Sequence, residues 1–131
     1  MSDFSVYTAT NVIDWMSQGT VDTPPTNIYV GLLDGDESEL SFDFLNERVE
    51  TDAGDDWDVT QTTFENANTL DFGEALEDVT DITFVALFDA ATDGNQLAAY
   101  ELSAAPFNIS SGSTASFAPG ELEFDVIDRT Q

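Results

Sequence analysis

Short apolar runs, rich in β-branched and aromatic residues, recur at intervals of roughly 8 to 15 residues from residue 28 onward. Turn-forming sequences separate them, among them Asp93-Gly94 and Pro119-Gly120. Runs of this length and spacing are typical of antiparallel sandwiches and barrels. The sequence therefore predicts an all-β fold, an antiparallel β-sandwich or jelly-roll-like domain with at least six strands.

The strands can be placed from alternation and turn signals. They are predicted at residues 28–33, 59–64, 70–72, 81–89, 96–102, 107–109, 114–117 and 121–127, with a short strand beginning at Val49 and either a strand or a tethering loop at 40–45. The Asp93-Gly94 pair predicts a hairpin between 81–89 and 96–102, and the later strands are expected to form a meander. The expected buried set is Ile28, Val30, Leu32, Phe84, Ala86, Phe88, Leu122, Phe124 and Val126.

One helix is predicted near the N-terminus, over residues 5–18. Its apolar residues recur at steps of three and four, and Gly19 follows where a left-handed C-cap would lie. The stripe consists of Val6, Ala9, Val12, Ile13 and Met16. Trp15 lies off the centre of this stripe, so it is a candidate contact for another subunit; the alternative is that it folds over the edge of the domain's own core.

The chain divides into segments that we expect to form one domain over residues 1–131. A proline-containing linker at 23–26 follows the helix, because proline cannot continue it, and a β-domain over 27–131 contains an acidic loop at 34–58. The N-terminus lacks the features of a secretion signal, and no apolar run is long enough to span a bilayer. We expect no membrane insertion.

Acidic residues dominate the charge of the chain. Asp and Glu number 27 against two Arg residues, Arg48 and Arg129, with no Lys or His, which gives a formal net charge of −25. Apolar residues still make up 41% of the chain, so it should fold. Self-repulsion of this surface would be screened at molar salt, where the Debye length is about 3 Å. The composition predicts a halophilic protein that does not bind nucleic acid.

The residue types needed for most catalytic chemistry are absent. Without His or Cys, catalysis by Ser-His-Asp or Cys-His arrangements is impossible, and thiolate metal sites are excluded. A pair of carboxylates can be found anywhere among 27, so such a pair indicates nothing. We therefore expect no enzyme activity, no cofactor, no catalytic residue and no metal-binding residue.

Two acidic segments suggest an alternative of another class, a glycan- or calcium-binding β-sandwich module. Residues 34–39 and 52–58 offer carboxylate oxygens, but Glu39 stands where a calcium loop of the EF-hand type needs glycine. Trp57, among Asp55, Asp56 and Asp58, is the candidate ligand platform. The alternative for Trp57 is a residue at the edge of the core.

The order of segments along the chain resembles a family of small tailed-phage virion proteins described as tail fibre proteins. The shared features are an N-terminal helix, Thr23-Pro24-Pro25, residues 28–32, 46–49, Phe64, Ala67, 70–72, 82–90, Gly94-Asn95, Leu97, 112–114, Phe117 and 120–124. Residues 29–32 and 85–90 carry most of the resemblance, which covers nearly the whole chain. The acidic segment 34–58 departs from the family pattern.

This resemblance implies a structural subunit of a virus particle, assembled in the host cytoplasm. Its place would be the tail, baseplate or fibre apparatus, with a capsid-surface decoration or turret component as the rival. The implied partners are other virion proteins and further copies of the chain, with contact to the host surface as a further role. Together with the composition, the resemblance suggests a virus of haloarchaea.

Overall fold

A computed structural model describes residues 2–60, 63–103 and 105–125, which contain one α-helix, one 3-10 turn and twelve strands. In chain order these are β1 (Ser2–Phe4), α1 (Val6–Gln18), β2 (Asn27–Leu33), the 3-10 turn (Ser41–Asp43), β3 (Val49–Asp52), β4 (Trp57–Thr60), β5 (Thr63–Asn66), β6 (Leu70–Glu74), β7 (Val79–Ile82), β8 (Phe84–Phe88), β9 (Gln96–Glu101), β10 (Phe107–Ile109), β11 (Thr114–Phe117) and β12 (Glu123–Asp125).

The largest sheet has five strands in the order β1-β9-β8-β2-β3, and every neighbouring pair is antiparallel. Its central strands, β2 and β8, carry apolar residues on both faces, because both faces are covered by other parts of the chain. Val30 and Val85 face the main core, whereas Leu33 and Ala86 face a second, smaller cluster. This sheet confirms the strand predicted at residues 28–33 and places it between β8 and β3.

The remaining strands pair in a nested order. β7 pairs with β10, β6 with β11 and β5 with β12, all antiparallel, outside the β8–β9 hairpin. A long two-stranded ribbon wrapped around a core is how a jelly roll is built. The predicted class, an antiparallel β-sandwich or jelly roll with one N-terminal helix, is confirmed.

The predicted meander of the last strands is wrong. β10, β11 and β12 do not pair with one another; each pairs with a strand more than twenty residues earlier in the chain. The turns between them therefore connect successive segments of the ribbon, and short-range turn signals cannot show which distant strand supplies the hydrogen bonds.

Two predicted strands are each divided in the structure. The run 81–89 is broken at Thr83, whose N–H donates to the Leu33 carbonyl at 2.9 Å and whose carbonyl accepts from the Leu102 N–H at 2.9 Å. The chain passes there from the β7–β10 pair into the five-stranded sheet. The run 59–64 falls instead into β4 and β5, which pair with each other so that Val59 lies opposite Phe64.

Of the two alternatives predicted for residues 40–45, the structure shows the loop. The 3-10 turn lies there, and Phe44 is fully buried against Phe72, with ring centroids 6.1 Å apart. We call residues 34–48 the strap, because they turn back from the end of β2 and run beside its open edge. The Ser41 hydroxyl accepts from the Leu32 N–H at 2.9 Å and occupies part of the open edge of β2.

The buried set agrees with the predicted strand registers. Six of the nine expected residues are buried, namely Val30, Leu32, Ala86, Phe88, Leu122 and Phe124. Ile28 and Phe84 are half-buried and pack against the two core clusters. Val126 lies outside the described residues. A slip of one position would have turned these side chains to solvent.

The predicted β8–β9 hairpin is confirmed, and its turn has Asp93 and Gly94 both at positive φ, 52° and 70°. We expect Gly94→Ala to destabilise the fold by about 1–2 kcal/mol from its left-handed backbone alone. The total loss of folding stability for Gly94→Ala should exceed this backbone contribution, since a Cβ there would lie 2.6 Å from Asp89 Oδ1 and 2.7 Å from Ala90 Cβ.

Gly112→Ala is the matched control for this turn. Gly112 also has positive φ, 88°, but a Cβ there meets nothing within 4 Å. Thermal unfolding of the two variants should show the larger loss for Gly94→Ala. Equal losses would mean that the contacts around Gly94 are unimportant.

Candidate docking surface

The helix begins and ends where its capping residues require. Ser5, with extended backbone, accepts through its hydroxyl from the Thr8 N–H at 3.1 Å, which satisfies one of the free N–H groups of the first turn. Gly19, at φ 70°, donates its N–H back to the Asp14 carbonyl. The helix predicted for residues 5–18 is confirmed, with bounds Val6–Gln18.

The helix lies on the protein with its polar side inward. No residue of α1 is buried. Three of its half-buried residues, Tyr7, Asn11 and Asp14, lie on the side opposite the apolar stripe; Thr8, also half-buried, lies beside them, and Ala9 is the one stripe residue that is half-buried. The exposed fractions of the stripe residues are high: 84% for Val6, 36% for Val12, 57% for Ile13 and 68% for Met16. An amphipathic helix ordinarily buries such a stripe against its own core. Here the stripe faces away from the domain.

Hydrogen bonds hold this reversed orientation. The Ser5 N–H donates to the Leu97 carbonyl of β9 at 3.0 Å, which ties the start of the helix to the large sheet. The Asn11 side chain donates to the Tyr7 carbonyl at 3.1 Å and accepts from the Asp22 N–H at 2.9 Å, so the segment after the helix is fastened to its inner face. A hydrogen bond with the Asp22 carboxylate raises the pKa of the Tyr7 phenol above its ordinary value.

An apolar groove of about 380 Å³ lies between the inner face of α1 and the β-domain. Its lining includes Phe4, Tyr7, Ile28, Trp57, Phe64 and Leu97. The helix therefore touches the domain without sealing the space beneath it, because its inward side chains are polar or small.

The structure places the two tryptophans in different surroundings. The Trp15 side chain is 66% exposed on the flank of the apolar stripe. Trp57 is only 8% exposed; its Nε1 donates to the Thr51 hydroxyl at 3.0 Å, and its ring meets Phe64 edge-on at 5.6 Å between centroids. Trp57 thus presents little surface as a ligand platform, whereas Trp15 is accessible to a partner.

The acidic segments use their carboxylates to hold their own turns. Asp34 accepts from the N–H groups of Asp36 and Ser38, both at 2.9 Å, and Asp56 accepts from the Asp52 N–H at 2.7 Å. Among residues 2–60, 63–103 and 105–125, no group of three or more acidic side chains could hold a metal ion.

Arg48 is the residue whose importance sequence reasoning missed. It is 8% exposed, and its Nε and Nη2 donate to the two carboxylate oxygens of Glu39, both at 2.7 Å. Its Nη1 donates to the carbonyls of Ala90 and Asp93 at 2.8 and 3.0 Å, and its guanidinium carbon lies 3.7 Å from the centroid of the Phe88 ring. The signal in the sequence was a lone cation within the acidic segment, where a buried partner for one carboxylate was to be expected.

Arg48 fastens the end of the strap to the large sheet on the side of its smaller core cluster. Beneath it lies the smaller core cluster of Leu33, Ala86, Phe88 and Ala99. Gly31 permits this close approach, since a Cβ there would lie 2.6 Å from the Ser41 hydroxyl. The strap, which is part of the acidic segment 34–58 that departs from the family pattern, therefore contributes to the packing of the fold.

No helix within the described parts of the chain is long and apolar enough to cross a membrane.

The domain is jelly-roll-like, one apolar face of its helix is exposed, and the carboxylates of its acidic loops hold their own turns. These are features of a structural protein that acts through its surfaces. Residues 3–125 match the family model described as Podophage GP4 fiber I protein gp80. The chain belongs to this phage fibre family, which confirms the resemblance seen in the sequence. A search of curated proteins gives no match. Membership supports a structural role in the tail fibre and association with other virion components.

Proposed function

We propose that the chain is a non-enzymatic structural subunit of the tail, baseplate or fibre apparatus of a tailed virus, and that it works as a homo-oligomer bound to other virion proteins. The family match over residues 3–125 carries this proposal. The chain would act as one domain, be assembled into particles in the host cytoplasm, and take part in contact with the host surface.

We further propose that the host is a haloarchaeon. Among the described residues Arg48 is the only Lys or Arg, and it is buried on Glu39, so no basic side chain on that surface offsets the carboxylates. Relief of their repulsion must then come from dissolved cations. This favours a protein that folds and assembles in concentrated salt.

The absence of His and Cys from the sequence supports a role without catalysis. The acidic turns add to this, because Asp34 and Asp56 are engaged by backbone N–H groups and are not directed at a shared site.

A map of purified particles at side-chain resolution would test the proposed location. Density for this chain in the tail, baseplate or fibre is the expected result. Density on the capsid surface would replace the proposal with its rival, a decoration or turret component. Absence of the chain from intact particles, checked by mass spectrometry, would refute a virion role altogether.

Trp15→Ala should weaken association of the chain while leaving the folding of the single chain nearly unchanged. Removal of a side chain that is 66% exposed typically changes folding stability by less than about 0.5 kcal/mol, whereas exposed aromatics are frequent anchors of interfaces. Sedimentation and denaturant unfolding should be compared in the same buffer.

Trp57→Ala is the matched control, since it removes the same side chain from the core and should lower folding stability strongly. If Trp15→Ala and Trp57→Ala cost equal folding stability, Trp15 belongs to the core of its own domain.

A further inference from the structure

We propose that the outward stripe of α1 is an interface that packs against the same stripe of a second copy of this chain. We call this surface the seam and define it as Val6, Ala9, Ile13 and Met16, with Val12 beside it. The inference deepens the proposed function and rests on its claim of homo-oligomerisation, to which it adds the surface responsible.

The spacing of the seam is that of a helix that pairs with another helix. Val6, Ala9, Ile13 and Met16 follow one another at steps of three, four and three residues, which are the a and d positions of two successive heptads. The two a positions hold the β-branched residues Val6 and Ile13. Such a stripe inserts side chains between those of a facing helix.

The structure leaves three of the four seam residues exposed, and the fourth, Ala9, is half-buried. Val6, Ile13 and Met16 are 84%, 57% and 68% exposed, and they form one continuous strip along the helix. Contiguous apolar surface of this kind marks interaction sites in soluble proteins. A free helix of 13 residues would be marginally stable, but α1 is capped by Ser5 and Gly19 and anchored through Asn11, so the seam is fixed before any partner binds.

The distribution of charge identifies the occupant as a second copy. Of the 27 acidic residues only Asp14 falls within residues 4–21, and its side chain is half-buried on the inward face. In helix pairs, charges at the e and g positions select the partner; here those positions hold Thr10, Val12 and Ser17, which are uncharged.

Two chains of net charge −25 approach most readily through a surface from which carboxylates are missing, because adjacent carboxylates repel even where salt screens more distant ones. A basic partner would instead gain from acidic residues around the contact. The uncharged seam therefore fits self-association of this chain.

The test places a carboxylate in the seam. Ile13→Asp should raise the dissociation constant of the oligomer at least roughly 100-fold, because a charge buried between two apolar helices has no partner. Leu76→Asp is the matched control: Leu76 is 58% exposed and Ile13 57%, and the substitution changes the net charge equally. Sedimentation in about 3 M KCl, where repulsion between whole chains is screened, should show Leu76→Asp associating like the wild type.

Ala9→Leu tests the seam without loss of folding. Leucine is favoured at a d position and adds apolar volume to it, so the variant should associate more tightly than the wild type, by roughly tenfold. Association caused by misfolding would be accompanied by a lower unfolding midpoint, which distinguishes it from tighter pairing at the seam. Unfolding midpoints in dilute solution should remain close together for all the variants.

The outcomes separate the inference from the proposed function. If the wild type associates and Ile13→Asp associates equally well, the seam is not the interface, but the proposal of homo-oligomerisation is unaffected. If the wild type stays monomeric up to about 1 mM at high salt, both fail. If only another virion protein binds the seam, a second copy is not its occupant.

Discussion

Replacement of Arg48 with Ala should destabilise the folded chain by about 3–5 kcal/mol, the usual cost of breaking a buried ion pair by removing one partner. Glu39 would keep its charge with its side chain only 20% exposed, and the carbonyls of Ala90 and Asp93 would lose their donor. The Phe88 ring would also lose the cation packed on its face. Denaturant unfolding in concentrated KCl is the measurement.

A series of variants separates charge from geometry at this position. Arg48→Lys keeps the charge but cannot form the two parallel bonds to Glu39, so it should recover only part of the stability. Arg48→Met combined with Glu39→Leu removes both charges and should be less damaging than Arg48→Met alone, because no buried carboxylate is left without a partner.

The double-mutant cycle formed by Arg48→Met, Glu39→Leu and the double variant gives the coupling free energy between the two side chains. A coupling near zero, or an Arg48→Ala loss below about 1 kcal/mol, would show that the pair behaves as an exposed salt bridge and that the strap does not depend on it. The salt dependence of the coupling free energy also distinguishes a buried pair from an exposed one, because salt screens a buried pair much less than a surface pair.

The thermal midpoint of the wild-type protein should rise steeply between 0.1 M and 3 M KCl, by roughly 15 °C or more, which corresponds to about 4 kcal/mol for a chain of this size. The cause is self-repulsion of a chain of net charge −25. Over this range the Debye length falls from about 10 Å to below 3 Å, which removes repulsion between all but adjacent carboxylates.

Two controls isolate screening from general effects of cosolutes. Sucrose favours compact states by exclusion from the protein surface without screening charge, so it should reproduce only a small part of the rise. Arg48→Ala should show a rise similar to that of the wild type from a lower starting point, since its loss is local. A wild-type midpoint that stays constant across this range would refute the halophilic prediction and the proposed host with it.

Local patterns were sufficient for the elements whose structure depends on near neighbours. The helix over residues 6–18 follows from its three- and four-residue apolar steps and from Gly19, and the β8–β9 hairpin follows from Asp93-Gly94. Alternation also gave the correct registers for Leu122 and Phe124. These features depend on residues at most a few positions apart, so the sequence displays them directly.

Arg48 shows why the strap was not predicted. Its partners are Glu39, nine residues earlier, and the carbonyls of residues 90 and 93, more than forty residues later. The sequence indicates only an acidic loop over residues 34–58, because the acidic side chains there give no sign of which one has a buried cation as its partner. Only the folded chain, in which Arg48 lies over the Phe88 ring, shows that Glu39 is that carboxylate.

The sequence by itself determined the fold class, the helix, the hairpin turn, the family and the balance of charge, because each is expressed in composition or in spacing along the chain. The tertiary structure decided the nested strand pairing, the change of sheet at Thr83, the burial of Arg48 and the side of α1 that faces outward. These depend on which distant segments meet. The helix illustrates the difference: periodicity defines its apolar stripe, but the hydrogen bonds that Ser5 donates to Leu97 and that Asn11 accepts from Asp22 hold the helix with that stripe turned away from the core.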